Sequence, residues 1–137
     1  VGDRHSVRQH HRLARTVTYL LPSGPPVITL EEYLQDNETS PFGRWFTTLN
    51  AQAALKVSNA LLRLELGNTS NIKWFEGLGE YRINWGPGYR IYLVQEGKRL
   101  IILFGGGDKS TQKADIKQAK ILIAEFRTRK KAQRNRR

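Results

Sequence analysis

The chain has no cysteine and no methionine in its 137 residues. Without cysteine there is no disulfide and no thiolate metal site, which fits a reducing compartment. The three histidines are His5, His10 and His11, so no imidazole is available beyond residue 11. That nearly excludes a histidine-based acid–base mechanism in the body of the chain. As a loose cluster without a carboxylate or a fixed spacing, the three read as solvated side chains rather than metal ligands. No apolar run approaches the roughly 18 residues needed to span a bilayer. No apolar stretch follows the first basic residues, as a secretory signal would require. The expectation is a single cytoplasmic domain with no membrane partner, no metal and no cofactor. At this length it can bury roughly two thirds of its unfolded surface without staples.

Negative charge is also scarce, and unevenly so. Against 23 Lys and Arg stand 12 Asp and Glu, for a net charge of +11. Residues 1–26 carry four Arg and one Asp, giving +3. Residues 27–103 carry eight of each sign, and residues 104–137 carry eleven basic and three acidic residues, giving +8. A neutral body with a strongly basic C-terminal quarter is the electrostatic footprint of a polyanion partner. The terminal "RTRKKAQRNRR" alone fits a solubilising tail and a nucleic-acid arm equally well.

Residues 1–24 are polar, basic and aperiodic, and read as a disordered extension. A domain over 25–128 and a basic tail over 129–137 follow. "PPVITLEEYLQDN" predicts an edge strand near 26–34. "SPFGRWFTTL" opens with a Ser cap and a Pro in the first turn. Its Phe42, Trp45, Phe46 and Leu49 share one helical face. A second helix carries Ala54, Val57, Leu61 and Leu64 and stops at Gly67 and Asn68. The link is short, so the two form a helical hairpin. The pattern then changes to period two, predicting three antiparallel strands with turns at Gly86–Gly88 and at Glu96 and Gly97. Counted outward from the turns, one face carries Tyr81, Ile83, Trp85, Tyr89, Ile91, Leu93, Leu100, Ile102 and Phe104. The other carries Glu80, Arg82, Asn84, Arg90, Tyr92, Val94, Ile101 and Leu103. This register sets Arg82 opposite Tyr92 and Arg90 opposite Asn84. A helix over 111–128, with Ile116, Ala119, Ile123 and Phe126 inward, covers the second face.

The stretch "LFGGGDKSTQKADIKQAK" invites a nucleotide reading, which fails. A P-loop needs G-x-x-x-x-G-K-[ST], but Asp108 precedes Lys109 and Leu103 stands where the first glycine belongs. The glycines instead serve a strand-to-helix turn, with Asp108 or Ser110 as cap. The turn places Lys109 and Lys113 at the edge of the face that carries Arg82, Arg90 and Tyr92. The competing reading pairs the arginines with Glu80 or Glu96 on a solvated sheet.

"LLRLELGN", "GLGEYRINWGPGYRIYLV" and "GGGDKSTQKADIKQAK", in that order, resemble the Gp49-like addiction-module killer proteins. These form part of the HigB branch of the RelE/ParE toxin superfamily. The resemblance covers residues 27–126. It implies an α+β fold, β-α-α-β-β-β-α, with a small antiparallel sheet, a helical hairpin on one face and a basic C-terminal helix. It implies a type II toxin that cleaves mRNA on the ribosome by attack of the 2′-hydroxyl, without metal. It also implies a cognate antitoxin, a helix-turn-helix protein, and contact with ribosomal RNA. On this sequence Arg82 and Arg90 are expected to hold the scissile phosphate. Lys109 holds or protonates it, and Glu80 or Tyr92 moves the proton. Glu80 serves equally well as a structural partner of Arg82. Lys113, Lys117, Lys120 and Arg127 would bind RNA, while Asp108 and Gln112 read as turn or cap residues. Three alternatives remain: a ParE-like gyrase poison, a non-catalytic RNA- or ribosome-binding module, and a degenerate toxin that no longer acts.

Overall fold

The computed structural model describes residues 12–19 and 26–136. The three histidines lie outside them. The strands are β1 (Ala14–Val17), β2 (Thr29–Tyr33), β3 (Ile72–Phe75), β4 (Leu78–Ile83), β5 (Tyr89–Glu96) and β6 (Leu100–Gly107). The helices are α1 (Pro41–Phe46), α2 (Ala51–Glu65) and α3 (Gln112–Asn135). The fold is α+β, with one six-stranded sheet in the order β1-β2-β6-β5-β4-β3. All neighbours are antiparallel except β2 and β6.

The local signals in the sequence act where they were read. Ser40 Oγ accepts from Gly43 N–H at 2.8 Å and Pro41 opens α1. Asn50 caps α2 through Ala53 N–H at 2.9 Å. Gly67, at φ +93°, ends α2 by turning the chain left-handed, where a side chain would be strained. Two cores result. Phe42, Val57, Ala60, Leu61 and Leu64 of the hairpin pack on Leu30, Tyr81, Ile83, Ile91, Leu93, Ile101 and Leu103. Ala119, Leu122, Ile123 and Phe126 of α3 pack on Tyr33, Leu78, Tyr92, Val94, Ile102 and Phe104.

Several expectations need correction. Residues 14–17, read as part of a disordered extension, form β1 and pair with β2 from Ala14↔Tyr33 to Val17↔Leu30. The strand at 29–33 is therefore internal, not an edge. "IKWF" adds a fourth strand, β3, beside β4. α3 runs on through the presumed tail to Asn135. Arg129 anchors that extension by donating to Leu34 C=O at 2.7 Å and pairing with Asp36 at 3.1 Å.

Register also differs. Arg82 faces Arg90, and Glu80 faces Tyr92. The β4–β5 loop is longer than the three residues assumed, which slides the pairing by two. The β5–β6 loop holds three residues, because Glu96 pairs with Leu100. The odd loop length reverses the faces of β6, so Ile101 and Leu103 meet the hairpin while Ile102 and Phe104 meet α3. A bulge then shifts the register, with Leu93 opposite Leu103 but Tyr92 opposite Gly105.

Candidate functional site

The face of β4 and β5 beneath the start of α3 concentrates charge. Arg82 and Arg90 stand directly opposite each other, an arrangement of like charges that is unfavourable by itself. Glu80 offsets it. Its carboxylate is fully buried and accepts from Arg82 Nε at 2.9 Å, Tyr92 Oη at 3.1 Å and Gln112 Nε2 at 2.9 Å. Arg90 Nε lies at ion-pair distance, 3.5 Å, without a hydrogen bond. Arg90 Nη1 donates to Gly88 C=O at 3.0 Å. Burial pushes the Glu80 carboxyl up. The hydrogen bonds from Arg82, Gln112 and Tyr92 outweigh it and hold the group below the usual carboxylate range. Tyr92 is the reverse case: burial pushes its phenol up, and the neighbouring Glu80 charge pushes it further.

The turn after β6 delivers the third cation. Lys109 N–H donates to Pro87 C=O at 3.2 Å, which ties the Lys109–Thr111 3-10 turn to the β4–β5 loop. Lys109 Cβ and Arg90 Nη1 both lie within 4 Å of the point where Gly88 would carry a Cβ. Asp108 caps the turn as expected, accepting from Ser110 N–H at 2.8 Å. The Ser110 hydroxyl, also bonded to it, holds the Asp108 carboxyl below its ordinary range.

The five residues singled out from sequence, Glu80, Arg82, Arg90, Tyr92 and Lys109, thus meet in one place. Their access differs. The side chain of Arg82 is 45% exposed and that of Arg90 only 9%; Lys109 is exposed, and Glu80 and Tyr92 are buried. Gln112 stands at the end of the 3-10 turn, as expected of a turn or cap residue, and its side chain also reaches Glu80. Lys73, which pairs across from Glu80 and is exposed, was not anticipated, because its strand was not. The alternation of apolar and polar residues at Ile72 and Lys73 was the available signal.

Lys113, Lys120 and Arg127 are seven apart and form one line along α3. Lys120 and Arg127 line a recess with Glu76, Gly77 and Leu78 of the β3–β4 turn, so this line follows the β4–β3 edge. Lys113, Lys117 and Arg127 are exposed, whereas Lys120 is engaged with Glu76. Among the described residues there is no group of three or more His, Asp and Glu that could hold a metal ion, and no helix is long and apolar enough to cross a membrane.

No family model matches the chain, and no solved structure matches it. A Haemophilus influenzae protein, described only as an uncharacterized protein, is 45% identical over 95 residues. The match covers 68% of this chain and 96% of that protein. At that identity and coverage, the chain belongs to the same family as the H. influenzae protein.

Proposed function

We propose that the protein is the toxin of a type II toxin–antitoxin pair, an endoribonuclease that cleaves mRNA on the ribosome without a metal. The observation that carries this reading is the arginine pair. Two guanidinium groups are held side by side by one buried carboxylate, with Lys109 next to them. Such an arrangement carries excess positive charge in a fixed geometry, which suits a phosphodiester. The stretches "GLGEYRINWGPGYRIYLV" and "GGGDKSTQKADIKQAK", which resemble the HigB branch, supply these groups.

In the proposed reaction the 2′-oxygen bonds to the adjacent phosphorus and the bond to the 5′-oxygen breaks. Charge grows on the non-bridging oxygens, where Arg82 and Arg90 stabilise it. Lys109, exposed at the rim, gives a proton to the departing 5′-oxygen. The 2′-hydroxyl proton passes to solvent or to a group of the ribosome. Glu80 is buried and already accepts three hydrogen bonds, so it serves by holding the arginines rather than as the base. Tyr92 keeps its proton and donates a hydrogen bond to Glu80. Lys113, Lys117 and Arg127 extend the positive surface for RNA. The same surface would receive an acidic segment of the antitoxin, and the site of action would be the cytoplasm.

The test is induced expression of the full chain with 5′-end mapping of cellular mRNA, since trimming at residue 25 would remove β1. Wild type is expected to arrest growth and to leave new ends inside translated frames. Arg82→Ala and Arg90→Ala are each expected to lower cleavage about a hundredfold or more. Arrest with intact mRNA would overturn the reading in favour of a gyrase or translation poison.

A further inference from the structure

A second feature lies on the other side of Tyr92. Between α1 and α3, over the glycine end of β6, is a cavity of about 420 Å³, within the size range of small-ligand sites. β2 pairs with β6 only from Leu100 to Leu103, so the glycines extend past it. Gly105 and Gly106 form part of the lining. A Cβ at Gly105 would meet nothing within 4 Å, whereas one at Gly106 would overlap the Trp45 ring. The floor is therefore open at Gly105 and sealed by Trp45 beneath Gly106. Trp45 and the buried Tyr92 are also among the lining residues, and Gln35, Gln118, Arg44 and Asp115 supply hydrogen-bonding groups.

The half-buried Trp45 ring beside amide, carboxylate and guanidinium groups is the kind of surface that reads an unstacked RNA base. The position is equally specific. Gly105 pairs with Tyr92, and Gly107 pairs with Arg90. The open floor is thus two residues along β6 from Gly107, the cross-strand partner of Arg90, about 7 Å at a strand's rise. The Tyr92 hydroxyl belongs to the Glu80 network, and the same residue also lines the cavity.

We propose that this cavity takes a nucleobase, the one adjoining the phosphate held at Arg82 and Arg90, and so sets the base preference of cleavage. The inference rests on the RNA reading of the arginine cleft. It explains Gly105, where no neighbour forbids a side chain, whereas Trp45 and Asp115 already exclude one at Gly106 and Gly107: a side chain at 105 would occupy the base's place.

The probe is each of the four nucleoside 5′-monophosphates, titrated at millimolar concentration into the ¹⁵N-labelled full chain. Amide shifts at Gly105 and Gly106 and at the Trp45 indole are expected for at least one base. Gly105→Val should abolish them, because its side chain enters free space and fills the floor; the same spectrum reports whether it is folded. Gln118→Ala, which removes a wall group without touching the strand, should weaken binding several-fold. Shifts confined to Arg82, Lys109 and Lys113, or cavity shifts unchanged in both variants, would overturn the proposal. Cleavage mapping separates the two readings. Cleavage whose base distribution is unchanged in both variants sinks the base site alone. Mononucleotide binding in the cavity by a wild type that never cuts mRNA sinks only the nuclease.

Discussion

At the scale of single residues, Glu80 has the largest expected effect. It is a buried anion that accepts from Arg82, Tyr92 and Gln112, so its removal leaves Arg90 buried without a counter-charge. Glu80→Ala is expected to cost about 3–5 kcal/mol in urea denaturation. Arg82→Ala, at a half-exposed position, should cost no more than about 1 kcal/mol. The sign of the pH effect follows from the lowered Glu80 carboxyl. Its stabilisation is present above the unfolded-state value of about 4.3 and is lost as pH falls through the lower folded value. Glu80→Gln should therefore flatten the acid side of the stability curve below about pH 4.5. Equal acid slopes in wild type and variant would show that the carboxylate contributes nothing through ionisation. The identity of these residues was readable in advance, because arginine, lysine and tyrosine at alternating strand positions announce one face. The hierarchy among them was not. Only the true register shows Glu80 facing Tyr92 with Arg82 facing Arg90, and that register depends on loop lengths.

At the scale of elements, α3 does more than cover a sheet. Its first turn sends Gln112 to Glu80, and its far end is tied down by Arg129 on Leu34, Tyr33 and Asp36. Replacing Arg129 by Ala should cost about 1.5–3 kcal/mol, the range for hydrogen bonds to a charged group. Hydrogen exchange of α3 amides beyond Phe126 is expected to quicken, and unchanged protection there would refute the anchor. The reading of 129–137 as a tail failed for a definite reason. The local composition is polar and mostly basic, and the partners that order it lie far away in sequence, at and just after the end of β2. β1 was missed in the same way, since "ARTV" has a strand's residues but its pairing with Thr29–Tyr33 is supplied by the fold. By contrast, caps and stops at Ser40, Gly67 and Asp108 were legible because each acts on its own backbone within a few residues. Reversal of β6 shows how little is needed to mislead: a loop of odd length exchanged Ile101 and Leu103 for Ile102 and Phe104.

At the scale of the molecule, a net charge of +11, of which +8 falls in residues 104–137, should make single-stranded RNA binding steeply salt-dependent. Each phosphate contact contributes about 0.7 to the logarithmic slope. Replacing Lys113 and Lys117 together should lower that slope by about 1.4 and weaken all sequences alike. A change that depends on sequence would assign them a different role. The parallel contact of β2 with β6 has another consequence, in the order of assembly. β3 to β6 follow one another along the chain and can pair as they appear, whereas β2 must bring Leu30 to Ile101. Non-local pairings of this kind are slow, because closing the loop comes before any contact rewards it. Leu30→Ala is thus expected to speed unfolding and to leave the folding rate within about twofold, while Ile91→Val slows folding. During synthesis the first two strands would emerge early and wait, unpaired to the sheet, until almost the whole chain is made. The Glu80–Arg90 cluster, which lies within the later strands and needs only Gln112 to complete it, would assemble as soon as α3 begins.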